Sequence, residues 1–141
     1  MAGTLDLKRF LDAQQRDYAI AFAEISAGRK RSHWMWYIFP QVNGLGFSST
    51  SQLYGINGLK EADAYLRHPV LGPRLITICR ALLDLKVNDA NLVFGSPDDL
   101  KLKSSMTLFA AVPDSDLVFQ EVLDKFFKGK SDSHTLTLLN R

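Results

Sequence analysis

The chain of 141 residues contains a single cysteine, which excludes an intrachain disulfide. Cys79 sits among Ile76, Ile78, Leu82 and Leu83, the composition of a buried helix face, where a free thiol packs as a small hydrophobe. No HExxH or paired-cysteine motif occurs. The three histidines, His33, His68 and His134, lie far apart in the chain, so no metal site is expected. The sequence also lacks a glycine-rich phosphate loop ending in Gly-Lys-Ser/Thr. Gly44-Leu45-Gly46 is too short for a dinucleotide fingerprint, and no resident cofactor is implied. A Gly-x-Ser-x-Gly nucleophile elbow is absent as well. No apolar run approaches the roughly 20 residues that span a bilayer. Residues 1–12 mix charges with apolar groups instead of forming the apolar centre of a signal peptide. These absences make a cytoplasmic protein without a membrane partner the expectation.

Hydrophobic residues make up 46% of the chain and aromatics 11%, against a net charge of only +2. Such a balance builds a real core in one domain over residues 1–141 and argues against intrinsic disorder. The slight basic excess permits a nucleic-acid partner without demanding one.

Apolar spacing predicts an irregular, mainly α bundle of about six helices with at most two short strands. Leu7, Phe10, Leu11, Tyr18, Phe22 and Ile25 recur at three- and four-residue steps, so a first helix should run from about Asp6 to Ala27. Thr4 or Asp6 can cap its start, and Gly28 can end it. His33–Phe39 fits either a short strand or a buried helical turn. Val42–Ser51 reads as a loop. Helices follow over Leu59–Arg67 and from Pro73 to about Lys86, with a short one over Asp89–Phe94. Ser96-Pro97-Asp98-Asp99 is a helix-start signal for a segment reaching about Ala111. A further helix starts at Asp114 or Ser115 and ends at Gly129, and Ser133–Leu139 forms a last turn. Only Trp36–Phe39 and Tyr54–Ile56 offer strand candidates.

Three segments concentrate groups that carry chemistry. Lys30–Gln41 holds cations, His33, Trp34 and Trp36, whose flat faces stack on bases or cations. Here His33 is an acid/base candidate, and Lys30 and Gln41 are binding candidates. Gln41–Tyr54 contains Gly44 and Gly46, which allow close backbone approach, together with Ser48 and Tyr54. In Asp98–Thr107, Asp98, Lys101 and Ser105 share one helical face. Lys101, Ser104 and Ser105 suit an anion, and Asp98 is a second acid/base candidate. Arg74, near a helix start, is a further ligand or ion-pair candidate. Against each stands a plainer role: aromatic ballast in a core, a self-satisfied loop, or hydroxyls bonded back into their own helix.

The order of Gly28-Arg29-Lys30, Ser32-His33-Trp34-Met35-Trp36, Phe39-Pro40-Gln41, Gly44-Leu45-Gly46, His68-Pro69-Val70-Leu71-Gly72 and Ser104-Ser105-Met106-Thr107-Leu108-Phe109 resembles the domain-of-unknown-function 1810 family over nearly the whole chain. The resemblance implies a mostly helical single domain and no established activity. Some members carry the label calpastatin. That label does not suit this chain, because such inhibitors are disordered polar segments and this composition is globular.

Two functions follow as expectations. One is an intracellular protein with a polar-aromatic cleft that binds or hydrolyses a nucleotide-like small molecule of the ADP-ribose or NAD type. The other is a non-enzymatic binding module for nucleic acid or a protein partner, suggested by Arg29–Arg31 beside two tryptophans. Convergence of the three segments on one cleft separates the first from the second.

Overall fold

The structure is a computed structural model that describes residues 7–140. Among the described residues the chain forms nine helices and no strand, not about six helices with up to two strands. They are α1 (Lys8–Ser26), α2 (Met35–Ile38), α3 (Ser49–Leu53), α4 (Leu59–Arg67), α5 (Leu71–Leu83), α6 (Ala90–Phe94), α7 (Asp98–Ala110), α8 (Val118–Phe127) and α9 (Ser133–Leu139). Of the two alternatives for His33–Phe39 the helical turn holds, and the element not expected at all is the short α3. The strand candidate at Trp36–Phe39 is taken up by α2, and the Gly/Ser-rich loop contains α3. Tyr54–Ile56 reaches only an isolated parallel bridge between Val42 and Ile56. The Asn43 amide donates to the Ile56 carbonyl at 2.8 Å, and the Ile56 amide donates to Gln41 at 2.9 Å.

Helix ends follow local chemistry. Gly28, at φ 83°, ends α1 in a left-handed conformation that costs glycine little. The proposed caps Thr4 and Asp6 lie outside the described residues. Ser48 caps α3 by accepting from the Ser51 amide, Asp89 caps α6 from Asn91, and Asp132 caps α9 from Thr135. Helix α8 starts later than Asp114 or Ser115, because Asp114 takes a left-handed φ of 62°; the Asp116 carboxylate then accepts from Val118 N at 2.8 Å.

Helix α5 is the central element. It packs on α1, α4 and α8, while α8 also covers α7. Leu71, Leu75, Ile78, Cys79 and Leu82 of α5 are buried, as the density of apolar residues predicts. Burial pushes the Cys79 thiol pKa up, which leaves it protonated and inert. A Cβ added to Gly72 would stand 2.1 Å from the Leu66 carbonyl oxygen, so the turn from α4 into α5 closes only without a side chain. Among the described residues no helix is long and apolar enough to cross a membrane.

The segment after α3 is fastened by Arg9 of α1. Its guanidinium donates to the Leu53 carbonyl at 2.7 Å and to the Gly55 carbonyl at 3.1 Å, and meets the Glu61 carboxylate at 3.1 Å. Glu61, buried in the first turn of α4, also accepts from the Asn57 amide at 2.9 Å. The end of the 41–58 segment is thereby fastened to α1 and α4, and its first half faces α7 and α9 across a cleft.

Candidate functional site

A cleft of about 220 Å³ opens where three separate segments meet. The 41–51 segment contributes Gln41, Leu45, Gly46 and Ser51. The start of α7 contributes Pro97, Leu100, Lys101 and Ser104, and the start of α9 contributes Asp132 and His134. A smaller recess continues from the shared wall of Gln41, Leu45, Gly46 and Ser51 to Trp36 and Tyr54. Gly46 is required at this wall: a Cβ there would fall 2.6 Å from Ser51 Oγ.

The approach of α9 rests on Thr107. Its hydroxyl donates back to the Lys103 carbonyl at 2.8 Å and accepts from the Asp132 amide at 2.8 Å, which pins the start of α9 to the middle of α7. Asp132 Oδ2 in turn takes the Thr135 amide at 2.9 Å and the Thr135 hydroxyl at 2.6 Å. His134, one residue into α9, is thereby set at the cleft.

Lys101 reaches the cleft from a ladder of alternating charge and aromatic rings. Lys30 Nζ stands 5.1 Å from the Trp34 ring centroid and 3.0 Å from Asp98 Oδ2. Asp98 Oδ1 stands 3.2 Å from Lys101 Nζ, which lies 4.8 Å from the Trp36 ring centroid. Asp98 is thus shared by two cations, each with an aromatic face behind it.

Beneath this ladder the Arg29–Trp34 segment is held by Glu24, a residue that the sequence pattern did not single out. Its carboxylate accepts from the Arg31 amide at 2.7 Å, the Ser32 amide at 3.0 Å, the Ser32 hydroxyl at 2.6 Å and Trp34 Nε1 at 2.9 Å. Partial burial pushes the Glu24 pKa up. The donors from Ser32, Arg31 and Trp34 together outweigh that and hold it at about 2. The missed signal was a lone acid one turn before a helix end, followed by a basic, hydroxyl-bearing segment.

Of the residues singled out in the sequence, Gln41, Gly46, Lys101 and Ser104 line the cleft, Trp36 and Tyr54 line its recess, and Lys30 and Asp98 support Lys101. The others are placed differently. Trp34 is fully buried against Phe39 and Phe94. His33 is exposed and lines none of the described cavities. Gly44 borders a separate recess with Asn43, Asn57 and Leu138. Ser48 is occupied as the cap of α3. Arg74 packs its guanidinium 5.3 Å from the Tyr18 ring centroid and donates to buried Gln14 at 3.5 Å, between α5 and α1. Ser104 lines the cleft while donating to the Leu100 carbonyl at 3.2 Å, whereas Ser105 is fully buried with no hydrogen-bond partner for its hydroxyl. Ser51, Asp132 and His134 join the site from outside the sequence-based set. Among the described residues no group of three or more His, Cys, Asp or Glu side chains could hold a metal ion.

With this geometry in view, the family model described as protein of unknown function (DUF1810) matches residues 4–139. The chain belongs to that family. The conserved hypothetical protein Rv1873 from Mycobacterium tuberculosis, whose crystal structure is known, is 47% identical; the match covers 96% of this chain and 97% of that one, at a TM-score of 0.94. No curated protein matches. The DUF1810 fold is therefore shared between the two chains over nearly their full lengths.

Proposed function

We propose that this DUF1810 protein binds a small nucleotide-like molecule of the ADP-ribose or NAD type in the cleft between the 41–51 segment, α7 and α9. The observation that carries the reading is the meeting of Lys101, Gln41, Ser51, Ser104, Asp132 and His134 at one opening from segments distant in sequence. A cation, an amide, hydroxyls and a carboxylate beside an aromatic recess form the mixed polar and apolar lining that orients such ligands. Size narrows the reading. Drug-sized ligands occupy pockets of roughly 300–1,000 Å³, and this cleft holds about 220 Å³. It accommodates one nucleoside- or ribose-phosphate-sized portion, with the rest of a dinucleotide lying outside.

Hydrolysis of a glycosidic bond would draw its acid or base from Asp132 or His134, the titratable groups at the opening beside Lys101. Asp98 is committed to two lysines, and His33 lies elsewhere. The nucleic-acid alternative loses its stacking platform, because Trp34 is fully buried and Lys101 stands over Trp36. Calorimetric titration with ADP-ribose, NAD and AMP tests the proposal. Binding that K101M or Q41A weakens about tenfold, the loss of one charge-assisted or well-made hydrogen bond, is expected. No binding at millimolar ligand would overturn it.

A further inference from the structure

The two lysines that share Asp98 are unequal. The Lys30 side chain is 8% exposed, donates to the Ser32 carbonyl and lies against Trp34, so all its partners are internal. The Lys101 side chain is 24% exposed, lies within one helical turn of Asp98 and borders the cleft. Breaking a buried ion pair costs about a hundredfold or more in equilibrium. The Lys101 pair is the more exposed of the two and spans one turn of its own helix, where such pairs are worth about two- to fivefold. Asp98 therefore stays with Lys30, and Lys101 is the partner that can be exchanged. Two lysines and one aspartate leave this ladder one positive charge in excess.

We propose that Lys101 is the anion-binding group of the cleft, that Asp98 occupies it as an internal stand-in, and that the group displacing Asp98 is the phosphate of a sugar phosphate. The assignment of a sugar phosphate rests on the small-ligand reading above. Asp132 lines the same cleft as Lys101, and with its Oδ2 taken by Thr135 its Oδ1 is the oxygen left to accept from a ligand. Inorganic phosphate offers Asp132 at most a P–OH or two, whereas a pentose phosphate offers it several sugar hydroxyl donors while presenting its anion to Lys101. A phosphate dianion carries more charge than the aspartate it replaces and meets a lysine whose present pair is weak. The 220 Å³ volume suits a pentose phosphate.

Lysine side-chain NMR of the full chain, titrated with inorganic phosphate, ribose 5-phosphate and ribose, tests this directly. Phosphate should move the Lys101 Cε and Nζ signals and leave those of Lys30 in place. Ribose 5-phosphate should bind about tenfold more tightly than phosphate, the worth of one or two added hydrogen bonds. Removing the stand-in should strengthen phosphate binding about two- to fivefold, the worth of an accessible pair. D98N alone strips the buried Lys30 ammonium of its Asp98 carboxylate, so K30M/D98N removes both charges. A purely structural role for Asp98 would not improve phosphate binding. An unmoved Lys101, or weaker phosphate binding by K30M/D98N, overturns the proposal even where ADP-ribose binds. Equal affinity for phosphate and ribose 5-phosphate overturns the sugar-phosphate assignment. Conversely, phosphate at Lys101 with no nucleotide binding would sink the nucleotide reading and leave the anion site standing.

Discussion

Glu24 and Trp34 are joined by a 2.9 Å hydrogen bond from the indole Nε1 to the carboxylate, which ties the last turns of α1 to the segment that carries Lys30. A fully buried indole N–H needs an acceptor, and Glu24 supplies one while also binding the Arg31 and Ser32 amides. Four donors on one carboxylate make it the organising residue of the segment.

Glu24→Gln is accordingly expected to destabilise the fold by about 1–3 kcal/mol, the usual worth of hydrogen bonds to a charged acceptor. The same carboxylate gives a pH signature. Its folded pKa of about 2 lies below its ordinary 4.5, so its stabilisation is fully present above that ordinary value. It is lost as pH falls toward about 2. Chemical denaturation across this acid range should show a slope in the native chain that is shallower in the Gln variant. Parallel slopes would contradict the assignment.

Gly72→Ala should cost about 2–4 kcal/mol, because the new Cβ would meet the Leu66 carbonyl at 2.1 Å and backbone must move. Gly58→Ala provides the contrast. A Cβ there meets nothing within 4 Å, and only the backbone, at φ 89° and ψ −176°, opposes it, at about 1–3 kcal/mol. Equal losses in the two variants would show that the α4–α5 contact is looser than described.

Ser105→Ala should stabilise the protein by about 0.5–2 kcal/mol. It removes a fully buried hydroxyl that has no hydrogen-bond partner and adds helix propensity. Thermal unfolding should shift upward by a few degrees, and ligand affinity should not change. A loss of stability would mean that the hydroxyl has a partner in solution.

Much of the fold was legible from residues whose effects are local. α4 is bounded as its sequence spacing predicts, and α6 begins after Asp89 and stops before Gly95. α2 and α3, at four and five residues, are too short for a helical period to declare itself, and tertiary contacts decide their form. The site was half legible. Lys101 and Gln41 stand out as polar groups beside aromatics. Which way a side chain faces was not: Arg74 turns to Tyr18, Trp34 turns into the core, and Ser105 is buried one turn beyond Lys101. Asp132 and His134 could not be found by pattern, because the bond from Asp132 to Thr107 that brings them to α7 spans 25 positions in the chain.

The most direct test of a ligand cleft at this place is amide chemical-shift mapping during titration with ADP-ribose. Saturable shifts should gather at Gln41, Gly46, Ser51, Lys101, Ser104 and His134, and need about tenfold more ligand to saturate in K101M. Shifts gathered instead around Asp63, Arg67, Asp114 and Asp116, which line a separate cavity beside α4 and α8, would contradict the assignment. So would a spectrum that does not change.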